Sequence, residues 1–256
     1  MIGRIWAIGT NTVREAIRNK LLYTLLFFAL LMIGTGVLIS TLSYVEGGRI
    51  VQDVGLASIR IFTVGIAIFV GVGLIHGEVE RRTIYTILSK PVGRGEFLLG
   101  KYLGLVLMVW MQLAIMAVAF LSVSWLMGAP VDLGHVAALG LTGVELMIMV
   151  AVATLFSAFT TPMLASLFSL GIYVLGHLTR DLRALGNQAD VETIGAVTDA
   201  IYKLLPDLES FNLTIHAAHG LAIPAEQIWW PVGYGICYSL VLLSVAVFIF
   251  RRRDLR

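Results

Sequence analysis

Six stretches of this chain are apolar on all sides and long enough to cross a bilayer, near residues 21–42, 59–75, 98–127, 136–159, 163–178 and 230–250. Spanning about 30 Å of hydrocarbon at about 1.5 Å per residue takes roughly 20 helical residues. Inside hydrocarbon every backbone N–H and C=O must be satisfied by the protein itself, which leaves helices or a closed barrel. Barrel strands would appear as segments of about ten residues with alternating polarity, and these runs do not alternate. The second and fifth runs are the shortest. Thr160-Thr161-Pro162 separates the fourth from the fifth, and their combined length requires two crossings. The expectation is an all-α, polytopic membrane protein with six transmembrane helices.

Composition narrows the functional classes. The chain is 58% apolar and 13% charged, with a mean hydropathy of +0.90, against roughly 45–50% and about 25% in soluble domains. That excludes an ordinary soluble protein, a disordered chain and a collagen-like repeat. A single cysteine, Cys237, rules out an intrachain disulfide framework and a cysteine-only metal site. The formal net charge of +2 gives no reason to expect a nucleic-acid partner.

Lys and Arg set the orientation. Six spans place both termini on one side with the second–third and fourth–fifth connections. That side carries Arg4, Arg14, Arg18, Lys20, Arg81, Arg82, Lys90, Arg94, Lys101, Arg251, Arg252, Arg253 and Arg256, and the other carries Arg49, Arg60, Arg180, Arg183 and Lys203. Both termini are therefore expected in the cytoplasm. The acids are distributed inversely, and only Glu145 falls inside a span. Residues 1–20 do not read as a cleaved signal peptide, because the apolar run that follows is too long and lacks a small-residue cleavage site. They read as an amphipathic helix, with Ile2, Ile5, Trp6, Val13 and Ile17 at three- and four-residue steps, lying in the interface with Trp6 at headgroup depth.

The connection after the second span is the most informative stretch. Residues 78–90 have helical form, with Val79, Thr83, Ile84, Ile87 and Leu88 on one face, acids leading and Lys90 closing before Pro91. An apolar face carried outside the spans needs a membrane surface or a partner's groove to receive it. Gly95 to Lys101 imitates the start of a phosphate loop. However, Tyr102 stands where a Ser or Thr should hold magnesium, and no strand precedes it.

These residues resemble the permease subunits of ABC-2 type transporters. The resemblance rests on Glu78, Thr83, Leu88-Ser89, Pro91, Arg94 and Gly100-Lys101, which match that family's coupling segment. It rests also on Arg14-Glu15 and Arg18-Asn19-Lys20 of an elbow helix, and on the Phe248-Ile-Phe-Arg-Arg-Arg-Asp254-Leu255 ending. Arg81-Arg82 departs from the pattern, since a Gly commonly precedes the Thr. The resemblance implies a single transmembrane domain over 1–256 with a type V exporter-like fold. It implies a non-enzymatic permease subunit paired with a second copy, driven by two copies of a separate ABC ATPase that hold the ATP and Mg. No cofactor is expected on this chain. In that picture Val79, Ile84, Ile87 and Leu88 fill the ATPase groove, Glu78, Glu80, Arg81, Arg82 and Arg94 ring it, and Thr83 belongs to the same ATPase-coupling segment.

The long connection over 179–229 contains Val191, Ile194, Thr198, Ile201 and Leu205 at helical steps, ended by Pro206. Residues 205–212 resemble a segment of the ABC-2 branch that includes the nitrous-oxide-reductase maturation permease. An outer gate, a dock for an extracytoplasmic accessory protein, and a lid packed over the bundle are all open readings. His216 and His219, three apart, could share a helix face and hold copper or zinc, but no third ligand is near in sequence. Glu145 is expected to face the bundle interior, in the translocation path or bonded to a neighbouring helix, with Gln112 as the candidate neighbour. A membrane enzyme is disfavoured, since neither His-Glu-x-x-His nor Gly-x-Ser-x-Gly occurs. A secondary transporter or channel without an ATPase is the alternative.

Overall fold

The computed structural model describes residues 2–41, 47–80, 93–188 and 192–252. Its helices are α1 (Ile2–Ile17), α2 (Lys20–Ser40), α3 (Gly47–Glu80), α4 (Arg94–Leu126), α5 (Leu133–Ser157), α6 (Pro162–Gln188), α7 (Glu192–Leu204), α8 (Thr214–Ala218) and α9 (Glu226–Arg252), with a 3₁₀ turn at Leu208–Phe211. Six of them, α2 to α6 and α9, are long and apolar enough to cross a membrane. No strand occurs among the described residues. The six-helix, all-α expectation holds.

Two boundaries differ from the hydropathy reading. Helix α3 starts at Gly47 rather than near 59, and α6 continues to Gln188 rather than stopping near 178. A helix bonds within itself, so one charge does not end it. Arg60 and Arg180, which close the apolar runs, lie within continuous helices.

Burial sorts the bundle into a centre and a periphery. In α3 and α5, 72% of the apolar window is buried, against 22% in α2, α6 and α9. The outer helices therefore present side chains such as Phe27, Leu38, Leu167 and Val241 to lipid, where apolar exposure carries no penalty.

Helix α1 docks on α4 through small residues. A Cβ on Gly104 would meet the Gly9 carbonyl oxygen at 2.6 Å and the Thr12 Cβ at 2.7 Å, and one on Gly100 would meet the Ile8 Cβ at 2.7 Å. This close approach is the one expected of the Gly100-xxx-Gly104 pair. The buried face of α1 is Gly9, Thr12 and Ala16, while Trp6 is 65% exposed and Ile17 is 39% exposed. Of the apolar face read from the sequence, Trp6 and Ile17 are thus turned outward, Ile5 and Val13 are half-buried with Val13 packed on the core, and the small residues make the closest helix contact.

The stretch after α6 is folded down over the bundle. Leu208, Phe211 and Leu213 belong to the main apolar core. Gly176 admits Leu208, whose Cγ would stand 2.8 Å from an added Cβ, and Gly235 admits Phe211 and Val144. The Tyr234 hydroxyl accepts from the Asp207 amide at 3.2 Å, and the Tyr238 hydroxyl donates to the Leu204 carbonyl at 3.0 Å. Of the open readings, the packed lid describes these contacts.

Candidate functional site

The buried acid of the fourth span has its partner in the second. Arg60 Nε donates to Glu145 Oε2 at 3.1 Å. Glu145 is fully buried and stands midway along α5, with roughly 18 Å of helix on either side. Arg60 is only 9% exposed. The expectation that Arg60 lies outside the membrane and that Gln112 neighbours Glu145 is therefore corrected. Gln112 is buried, and its Nε2 has no hydrogen-bond partner among the described residues. Helix α3 carries a second buried amide, Gln52, whose Nε2 donates to the Pro130 carbonyl at 2.7 Å.

His177 completes the centre from α6. Its Nε2 lies 2.6 Å from Arg60 Nη2 and 3.4 Å from Glu145 Oε1, and its Nδ1 lies 2.9 Å from the Tyr173 carbonyl. A guanidinium only donates and a carbonyl only accepts. Nδ1 therefore carries the proton, Nε2 receives from Arg60, and the imidazole is neutral. Glu145 Oε1 is left without a hydrogen bond. This geometry has a built-in alternative: a proton on Nε2 would turn His177 into a donor towards Glu145 Oε1 and displace Arg60. Three helices, α3, α5 and α6, meet at this one exchangeable set of bonds. The signal available in the sequence was Glu145 itself, since a buried carboxylate requires a cation.

Above this centre, Glu209 of the 3₁₀ turn lies within electrostatic reach of Glu145 and His177. Glu209 also lines an outer cavity of about 710 Å³ with Asn212, His216, Glu226, Trp229 and Trp230. Arg180 borders it and is clamped to Asp207 Oδ2 through Nε at 2.9 Å and Nη2 at 2.7 Å. His219 lines a different cavity, of about 390 Å³, beside His135 and Asp132. His216 and His219 thus line different cavities, and no group of three His, Cys, Asp or Glu able to hold a metal occurs among the described residues. Asp132 caps α5: His135 Nδ1 lies 2.8 Å from its Oδ1. Partial burial pushes that carboxyl up, but the hydrogen bonds and charge of His135 outweigh it and hold Asp132 below its usual range.

At the opposite end of the bundle, α3 continues unbroken through Gly77 to Glu80, so the Glu78-Val79-Glu80 backbone prolongs the second span. Arg81, Arg82, Thr83, Ile84, Ile87 and Leu88 lie outside the described residues. Arg94 opens α4 and donates to the carbonyls of Phe250 at 3.5 Å and Arg251 at 3.2 Å. The phosphate-loop imitation at Gly95–Lys101 is helical, and Lys101, 1% exposed, donates to Glu15 of α1 at 3.2 Å.

Fold and site together define a multi-pass membrane protein of transporter type, with a docked amphipathic leader helix and an ionic centre inside a lidded bundle. The chain belongs to the ABC-2 family of transporter proteins, whose sequence model matches residues 6–255. It is similar to two proteins named as the probable ABC transporter permease protein NosY. The match to the Pseudomonas aeruginosa protein is 32% identical over 108 residues, covering 39% of this chain and 38% of the relative. The match to the Stutzerimonas stutzeri protein is 32% identical over 107 residues, covering 40% of this chain and 39% of the relative. The chain thus spans well under half the length of these relatives.

Proposed function

We propose that this chain is the membrane-spanning permease subunit of an ABC transporter, moved by a separate ATPase that binds ATP and Mg. The carrying observation is the family match over residues 6–255. It is supported by six membrane-length helices and by a second span that runs on as helix to Glu80, beside the expected ATPase-coupling residues. The subunit works as a single transmembrane unit, paired with a second permease copy. Two ATPases pull on the segment after Glu80 and drive export or extraction of a substrate, or action on an extracytoplasmic partner. With Arg60 inside the bundle, the outer side keeps only Arg49, Arg180, Arg183 and Lys203 as bases, which strengthens the assignment of both termini to the cytoplasm of an inner membrane.

The buried Arg60–Glu145–His177 centre favours a second reading, ion-coupled secondary transport without an ATPase, because intramembrane charges mark ion paths. One experiment separates the two. The tagged chain is co-expressed with the ABC ATPase of its own operon and purified in detergent. The main reading expects a complex that hydrolyses ATP, and an Ile84→Asp/Leu88→Asp variant that inserts normally but purifies alone. A wild-type chain that purifies without ATPase and moves ions in vesicles gives the second reading.

A further inference from the structure

The far end of α9 carries a groove with a cationic end. Leu240, Leu243, Val247 and Phe248 form one stripe of the helix, faced by Leu99 of α4, around a cavity of about 420 Å³. Leu243 is its buried floor at 4% exposure, while Leu240 and Phe248 stay 58% and 55% exposed as its rims. The stripe continues through Ser244 to Arg251, about 16 Å along the axis from Leu240 at about 1.5 Å per residue. An acyl chain lies along such a length.

The end of the groove concentrates positive charge. Arg251 closes it, and the Arg252 guanidinium is stacked 4.2 Å above the ring of Phe248, a groove residue. Both arginines are exposed, and neither forms an ion pair among the described residues. Arg94 is held against the same turn by its bonds to the Phe250 and Arg251 carbonyls, which fixes the end of α9 against the start of α4. The nearest described acid on α4, Glu96, is turned towards the Gly93 amide at 3.3 Å and Arg4 at 3.9 Å. Two exposed guanidinium groups, those of Arg251 and Arg252, beside an apolar slot of membrane depth call for an amphiphile with a negative head.

We propose that this α4–α9 groove is a binding site for one anionic phospholipid, its chain along Leu240–Phe248 and its phosphate on Arg251 and Arg252. The leaflet is the one at the bundle end that holds α1, whichever face of the cell that end meets. A second copy of the chain fits the site less well. Related by a two-fold axis through the groove, it would set Arg251 against Arg251 with no carboxylate between them among the described residues.

The test uses the full chain in nanodiscs of phosphatidylcholine containing phosphatidylglycerol with a photoreactive acyl chain. Cross-linked peptides are mapped by mass spectrometry. Labelling is expected on α9 between Leu240 and Phe248 and on Leu99. It should fall about fivefold for each charge removed in Arg251→Ala and Arg251→Ala/Arg252→Ala, and fall with rising salt. Ser244→Phe keeps the charges, sits on an exposed position and fills the slot, so it too should lose the label. Photoreactive phosphatidylcholine should label the stripe weakly and independently of the arginines. Equal labelling by both lipids, or labelling unchanged in the Arg251→Ala/Arg252→Ala variant, overturns the proposal. Cross-links from the stripe to a second copy in place of lipid also overturn it. Failure would leave the ATPase co-purification result untouched.

Discussion

Arg60 and Glu145, separated by 85 positions in the chain, meet at 3.1 Å in the middle of the bundle. Each compensates the other's burial, and neither could remain charged there alone. Removing one partner of such a pair costs about 3–5 kcal/mol, whereas replacing both by apolar side chains is often neutral. Arg60→Met and Glu145→Met should therefore each lower the melting temperature in detergent strongly. The double variant should recover most of the loss. A double variant as unstable as the sum of the singles would deny the pairing.

The orientation of His177 is a spectroscopic prediction. With Nδ1 donating to the Tyr173 carbonyl and Nε2 receiving from Arg60, ¹⁵N spectra of histidine-labelled protein should show one Nδ1–H tautomer. In Arg60→Met the Nε2 partner is gone, and that resonance should shift while the Nδ1 resonance stays. A wild-type Nε2–H tautomer contradicts the assignment.

The seat of α1 on α4 has no spare room. Gly104→Ala places a methyl 2.6 Å from the Gly9 carbonyl oxygen, an overpacking that typically costs about 1–3 kcal/mol. Gly73→Ala, where nothing lies within 4 Å, should instead be neutral or gain up to about 1 kcal/mol of helix propensity. Thermal melts of the two variants check this.

Asp199 predicts a pH dependence of the α6–α7 pair. The hydrogen bond from Lys203 first, then the charges of Lys203 and Arg183, hold its carboxyl below the usual aspartate value of 3.8. A depressed folded pKa contributes stability above the unfolded value and loses it as pH falls through the folded one. The Asp199→Asn variant should melt below wild type at pH 6, and the gap should close as the pH falls below 3.8 and through the folded value. The group is solvent-exposed, so the gap will be small and will shrink with salt. A constant gap across that range would remove the carboxylate from the explanation.

The spans were readable because hydrocarbon demands long apolar helices, and few other patterns satisfy it. Their partners were harder to read. Arg60 looked like the end of a span because it interrupts an apolar run, yet α3 passes through it, since helix continuity is set by backbone bonds. Its role becomes visible only when Glu145 is required to have a cation. Helix α1 was readable as amphipathic, but not the face it buries. In a membrane the apolar side chains have lipid to face, and close contact falls to Gly9, Thr12 and Ala16. His177 stands near the end of the fifth apolar run, and no spacing in the sequence pairs it with Arg60 and Glu145; the meeting of α3, α5 and α6 does.

Helix α3 joins the ionic centre to the region beyond Gly77 as one uninterrupted element. About 30 Å of rod separates Arg60 from Glu80. Such a rod converts rotation into travel: a tilt of about 10° at Arg60 sweeps the Glu80 end through roughly 5 Å, about one helical turn. A bond exchange among Arg60, Glu145 and His177 far inside the bundle is thereby geared to a displacement that a neighbouring protein could read, or impose, at the other end.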